Sequence, residues 1–206
     1  MEKSNKKNEI LDVALTLFST GGYEATSISQ IAEAVGIRKA SLYSHFGSKQ
    51  DILDTLIETI RKQYEAHSIF SRADWNNPEF TRDKEHMDVE TIVQMIIGHI
   101  RYILHDPVIS RTRKMLIIEQ FRNRQLSQLQ TKQNYSDIMN YFVGLVSFLI
   151  QRLKLKDDGA EIMAAQLCLP ISVWINLCDR EPEREQEIMT LIEEHIRRFF
   201  QIYRLE

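Results

Sequence analysis

Residues 26–53, TSISQIAEAVGIRKASLYSHFGSKQDIL, set three helix boundaries and two polar surfaces into one short stretch. Ile28, Ile31 and Ala32 recur at helical spacing, Gly36 supplies a turn, and Leu42 and Phe46 give a second short helix its own apolar face. Ser27 with Gln30 three residues on reads as a capping box that opens the first of these helices, which stops at Gly36. With Arg38 as origin and about 100° per residue, Leu42 and Phe46 fall near about 40° and about 80°, whereas Ala40, Ser44 and Ser41 fall near about 200°, 240° and 300°. One face packs and the other, with Arg38, Lys39, Ser41, Ser44 and His45, is open to solvent or a partner. The pattern is that of a helix-turn-helix, whose second helix enters the major groove while the first crosses the backbone.

Working outward, Ile10, Val13, Ala14, Leu17 and Phe18 mark a preceding helix that buries one stripe and ends at Gly21-Gly22. Ser48 with Asp51 opens a fourth helix that carries Leu53, Leu56, Ile57, Ile60 and Tyr64 to about residue 71, the natural connector to the remainder. Residues 72–87 lack a helical period and contain Asn76-Asn77-Pro78, so they read as a loop whose Trp75 and Phe80 fold back onto the body. A fifth helix follows from Val89 to Leu104. Asp106-Pro107 starts a sixth, reaching about Phe121. A seventh covers roughly residues 123–154, Asp157-Asp158 caps an eighth that Pro170 should kink or divide, and a ninth follows Pro182. The reading is all-α, with nine helices in two parts: a helix-turn-helix at 1–47 and a helical body at 48–206.

Composition agrees. The 206 residues are 43% hydrophobic and 27% charged with only 7 Gly and 4 Pro, enough apolar material for a core and few of the turn residues an all-β chain needs. A net charge of −3 excludes a generally basic nucleic-acid binder, so DNA contact must come from a local patch. Residues 1–50 hold 6 Lys/Arg against 5 Asp/Glu, only slightly more basic than the rest. Lys3, Lys6 and Lys7 are followed by no apolar run of the signal-peptide kind, and no uninterrupted apolar run approaches the roughly 20 residues of a membrane span, so a cytoplasmic setting without membrane contact is expected. Cys168 and Cys178 would lie about 80° apart around one helix and about 15 Å apart along it, too far to bridge within it.

The run I-A-E-A-V-G-I-R-K-A-S-L-Y-S-H-F-G-S-K, with the helix before it, is similar to the N-terminal signature of the tetracycline-repressor (TetR) family of bacterial transcription regulators. The similarity covers about residues 8–53; beyond them only length and helical layout agree. The resemblance makes 1–47 a DNA-binding domain and 48–206 an effector-binding and dimerisation domain. The resemblance implies that Lys39, Ala40, Ser41 and Ser44 contact bases and nearby backbone, that Tyr43, His45 and Lys49 contact mainly phosphates, and that Thr26 and Ser27 hold phosphate through hydroxyl and backbone N–H. Arg38 stands where the family usually places a serine N-cap. It forfeits the cap and adds a fork-shaped donor for a guanine edge or a phosphate.

For the remainder the resemblance implies a homodimer on a pseudo-palindromic double-stranded operator, released when a small, largely apolar effector binds the C-terminal body. Large or polar residues set into aliphatic helical faces are pocket candidates: Trp75, Met95, His99, Tyr102, Met115, Glu119, Phe142, Val146 and Trp174. Leu167, Ile171 and Ile175 of the eighth helix, with Ile188, Leu191, Ile192, Ile196 and Phe199 of the ninth, are candidates for the dimer face. His99 and His105 are six apart, on opposite sides of a helix, so no metal site is expected. No nucleophile with a base, no phosphate-binding glycine loop and no cofactor motif is present, so no enzyme is expected. The rival reading is an all-α interaction or small-molecule-handling protein with a merely structural helix-turn-helix.

Overall fold

The computed structural model describes residues 2–82, 84, 87–152 and 154–205, with the side chains of residues 2–4 left aside. Within the expected loop, residues 83, 85 and 86 therefore lie outside the described residues, as does residue 153 near the end of the expected seventh helix. Among the described residues the fold is all-helical, as read from the pattern, with twelve α-helices. They are α1 (Glu2–Gly21), α2 (Ile28–Val35), α3 (Lys39–Tyr43), α4 (Lys49–His67), α5 (Ile69–Arg72), α6 (Pro78–Arg82), α7 (Val89–His105), α8 (Pro107–Glu119), α9 (Arg124–Thr131), α10 (Asp137–Gln151), α11 (Ala160–Arg180) and α12 (Glu185–Tyr203). A π-helical turn, Lys132–Ser136, divides the expected seventh helix into α9 and α10, and α5 and α6 are short helices within what read as connector end and loop.

The helices form two compact units. The first holds the residues up to Ser68 together with Pro107–Thr131; the second holds Ile69–Asp106 and Lys132–Glu206. These units follow a different line from the cut at residue 47. In the first, Ile10, Phe18, Ile31, Leu42, Phe46 and Leu53 share one core with Met115, Leu116, Leu126 and Leu129 of α8 and α9. Periodicity shows which side of α8 is apolar but not which neighbour covers it.

In the second unit α10 and α11 pack side by side, with α11 and α7 both against α12. Its core includes Ile92, Ile97, Tyr141, Leu145, Leu167 and Ile192. The aromatics of the expected loop do fold back. Trp75 meets the rings of Phe80, Tyr141 and Phe148 at 5.2, 5.4 and 5.7 Å, and it lies so close over Gly144 that any Cβ there would collide with the indole.

Two local expectations are corrected. Pro170 does not divide α11, which continues through it although proline removes one backbone donor; Met163, Leu167, Ile171 and Ile175 are buried on either side. Asp157 does not cap α11 directly. Its Oδ1 accepts the N–H of Gly159 at 3.1 Å, and Gly159, at φ 87°, is the residue before the helix. α11 is also long and apolar enough, by length and composition, to cross a membrane, and in this fold its Met163, Leu167, Cys168, Ile171 and Ile175 are buried in the core shared with α10 and α12.

Candidate nucleic-acid interface and interior cavity

α2 and α3 form the turn-linked pair expected of residues 26–53. Ser27 and Gln30 make the full capping box: Ser27 Oγ accepts the Gln30 N–H at 3.2 Å and Gln30 Oε1 accepts the Ser27 N–H at 2.7 Å. Gly36, in the left-handed region at φ 73°, closes α2 by donating to the Ala32 carbonyl, a conformation that costs a residue with a Cβ more than it costs glycine. Leu42 and Phe46 are buried as the angular reading required, at 0% and 2% exposure.

The other side of α3 faces outward. Arg38, Lys39, Ala40, Ser41, Tyr43 and Ser44 are all exposed. Ser44 Oγ donates to the Ser41 carbonyl at 2.7 Å, which leaves its oxygen lone pairs toward solvent. Arg38 sits at the N-cap with no side-chain cap bond, so its guanidinium replaces a hydroxyl that would have bonded a free helical N–H. Arg38→Ser is therefore expected to raise the stability of this unit by about 0.5–1 kcal/mol while weakening DNA binding. Urea denaturation and a gel shift on the same variant check the opposite signs.

Three of the expected phosphate ligands are placed differently. Thr26 is buried, and its hydroxyl donates to the Gly22 carbonyl at 2.8 Å, so it holds the α1–α2 turn. Lys49 donates from Nζ to the Tyr23 carbonyl at 2.9 Å and stands 4.1 Å over the Tyr23 ring, a cation–π contact that spends its charge within the fold. His45 is half-buried, with Nδ1 enclosed and without a hydrogen-bond partner. Ser27 remains exposed at the start of α2, its N–H taken by the capping box and its hydroxyl proton still able to be donated.

Tyr23 is the residue that sequence reasoning missed. Its N–H donates to Glu119 Oε1 at 2.8 Å, its carbonyl accepts Lys49, its phenol donates to Gln50 Oε1 at 3.0 Å, and its ring meets Phe18 edge-on at 5.3 Å. Burial, with Glu24 and Asp54 nearby, pushes the phenol above its ordinary pKa, so it stays a donor. One turn residue thus joins α1, α4 and α8. Gly22 beside it has φ 83°, and a Cβ there would stand 3.0 Å from Glu119 Oε1. Glu119 is accordingly a buried structural acceptor of the first unit, and Met115, fully buried, belongs to the same core; neither lines the cavity of the second unit.

The second unit contains a partly open cavity of about 340 Å³ among α5, α7, α10 and α11. Of the nine pocket candidates, Met95, His99, Tyr102 and Phe142 line it. Val146 is fully buried in the core, Trp75 packs on neighbouring rings, and Trp174 meets His195 edge-on at 5.3 Å. Phe70, Tyr141 and Cys168 line it without having been anticipated. Burial pushes the Tyr141 phenol up to about 12 and the Cys168 thiol up to about 11, so both stay neutral, and burial depresses His99, favouring its uncharged imidazole. Cys168 and Cys178 are both buried, and no disulfide joins them.

Most candidates for the dimer face are inside the protomer. Leu167, Ile188, Ile192 and Ile196 are at 0% exposure, Phe199 is at 4%, and Ile171 and Ile175 line the cavity. Leu191 is exposed, and it is joined by Ile162, Leu169 and Val173 on α11 and Ile202 on α12. The interior members are the strongest apolar positions of each helix, which is why the pattern singled them out. Among the described residues no group of three or more His, Cys, Asp or Glu could hold a metal ion. His105 instead pairs with Glu185 at 2.8 Å.

The geometry defines an all-helical protein with an N-terminal helix-turn-helix and a hollow helical body. Residues 10–56 match the family described as bacterial regulatory proteins, tetR family. Over 55 residues the chain is 46% identical to the HTH-type transcriptional repressor KstR2 of Rhodococcus jostii (strain RHA1), an alignment that covers 27% of this chain and 27% of that protein. The chain thus matches little more than a quarter of that relative's length. Over nearly the whole chain it has the fold of a TetR-family transcriptional regulator from Agrobacterium tumefaciens, with a TM-score of 0.63, 18% identity and coverage of 98% of this chain and 100% of that one. It also has the fold of SmeT, the repressor of the Stenotrophomonas maltophilia multidrug efflux pump SmeDEF, with a TM-score of 0.64, 17% identity and coverage of 97% and 91%. SmeT is also solved in complex with triclosan, with a TM-score of 0.59, 18% identity and coverage of 98% and 93%. The resemblance in residues 8–53 is borne out over residues 10–56, which match the tetR-family description, and over nearly its whole length the chain has the fold of these solved structures.

Proposed function

We propose that this protein is a homodimeric transcriptional repressor of the cytoplasm that binds a pseudo-palindromic operator through α3 and releases it when a small apolar effector enters the cavity of the second unit. The observation that carries the reading is the division of α3: Leu42 and Phe46 anchor it inward while Arg38, Lys39, Ala40, Ser41, Tyr43 and Ser44 form one continuous outward surface. A helix seated in the major groove needs that division. The family match supports a regulator over an all-α protein of other function. SmeT, whose fold this chain shares, is a repressor solved with a small molecule bound, which supports a ligand-responsive body.

The exposed Ile162, Val173 and Leu191 on α11 and α12 support association with a second copy, because apolar side chains at helical spacing are what a two-fold helix pairing buries. Covalent continuity supports the coupling. Ile69 and Phe70 of the cavity wall follow α4, which begins at Lys49, after the single residue Ser68, and Tyr102 and Ile103 lie in the last turn of α7, which Asp106 joins to α8. A ligand shifts the reader only if it prefers one arrangement of these helices, since equal affinity for both shifts nothing.

The test is a gel shift with operators selected from random DNA. Binding should weaken steeply as salt rises. Tyr43→Ala should lower affinity by about tenfold on every sequence alike, whereas Lys39→Ala should change which base is preferred and cost about 1–3 kcal/mol there. A folded Tyr43→Ala protein that binds as tightly as wild type would refute the docking through this face.

A further inference from the structure

Resting on the reading of the cavity as the effector site, we propose that its ligand is an uncharged, mainly apolar, ring-containing molecule that carries one hydroxyl anchored on His99 Nε2. The cavity wall contains no Lys, Arg, Asp or Glu among the described residues. A charged ligand would therefore be buried without a counter-charge, which is far more costly than burying a neutral one. The space, about 340 Å³, lies at the small end of drug-sized sites, which run roughly 300–1,000 Å³.

Among the described residues, one fully buried side-chain nitrogen that belongs to a wall residue lacks a partner. His99 Nε2 is buried and makes no hydrogen bond, and unsatisfied buried polar atoms are rare in native proteins because each forfeits its water without replacement. The ring is held in place, edge-on to Phe70 at 4.8 Å and 86° and beside Tyr102 at 6.3 Å. Depressed basicity from burial keeps the imidazole neutral, so Nε2 gives or accepts one hydrogen bond according to tautomer. A hydroxyl matches either tautomer, whereas a carbonyl matches only one. The facing rings of Phe70, Tyr141 and Phe142 suit an aromatic body packed edge to face.

The test uses the full-length protein and four probes of one shape at neutral pH: 2-naphthol, naphthalene, 2-naphthoate and 2-naphthylmethylammonium, titrated by calorimetry. 2-Naphthol should bind about tenfold more tightly than naphthalene, the worth of one buried hydrogen bond, and about a hundredfold or more tighter than either charged probe. In His99→Phe, naphthalene should still bind while the advantage of the hydroxyl falls to within about twofold. The proposal is overturned if 2-naphthol and naphthalene bind wild type equally, if a charged probe binds as well as 2-naphthol, if the hydroxyl advantage survives in His99→Phe, or if no probe binds. Operator affinity is read separately. If 2-naphthol binds as expected and the operator is not released, the effector reading fails and the ligand class stands.

Discussion

Replacing Phe46 with alanine is expected to cost the first unit about 3–5 kcal/mol and, with the proposed docking through α3, to remove most operator binding. The ring is 2% exposed, and its backbone N–H closes the end of α3 on the Leu42 carbonyl at 3.1 Å. Above it the Lys7 ammonium stands 5.2 Å from the ring centroid. With only five residues, α3 has too few internal hydrogen bonds to persist alone. Its shape depends on what Leu42 and Phe46 are buried against, so the cavity left by alanine releases the helix. Apparent affinity then falls in proportion to the fraction of molecules whose reader is formed. Amide exchange across α2 and α3, alongside a gel shift, should show protection and binding lost together. Phe46→Leu, closer in volume, should cost less than about 1.5 kcal/mol and retain binding. If Phe46→Ala bound DNA at wild-type strength, α3 could not be the reading element.

The second large effect is expected at Glu119. Glu119→Ala should destabilise the first unit by about 1–3 kcal/mol, because the acceptor is removed and the Tyr23 N–H is left without a partner. Glu119 is 2% exposed, at the end of α8, and its Oε1 meets the Tyr23 N–H at 2.8 Å. The Tyr23 carbonyl is in turn the anchor of Lys49, so loosening one end of this clasp frees the other. Glu119→Gln keeps an acceptor oxygen on a side chain of the same length and should lose less than half as much. Urea unfolding and the exchange rate of the Tyr23 amide measure both variants. Equal losses in Glu119→Ala and Glu119→Gln would show that packing, and not the hydrogen bond, is what this side chain contributes.

The reader was legible because its determinants are local. The Ser27–Gln30 capping box and the Gly36 turn each span a few residues, and the burial of Leu42 and Phe46 follows from a 100° step along a single helix. Thr26 and Lys49 were harder to place because a hydroxyl or an ammonium at a helix start can serve a phosphate or a carbonyl equally well. The Gly22 and Tyr23 carbonyls that claim them lie on the turn before α2, and nothing in the periodicity marks them.

By itself, then, the sequence determined the all-helical class, the helix-turn-helix and its outward face, since these rest on caps, turns and periodicity within one or two helical turns. The tertiary structure decided which apolar faces meet. It placed Met115 and Glu119 with the reader, put Ile171 and Ile175 on the cavity wall, left Ile162, Val173 and Leu191 outside, and carried α11 through Pro170. The Tyr23–Glu119 bond joins residues 96 apart. Burial is non-directional, so an apolar stripe states only that it will be covered; which partner covers it is settled when all the helices pack at once.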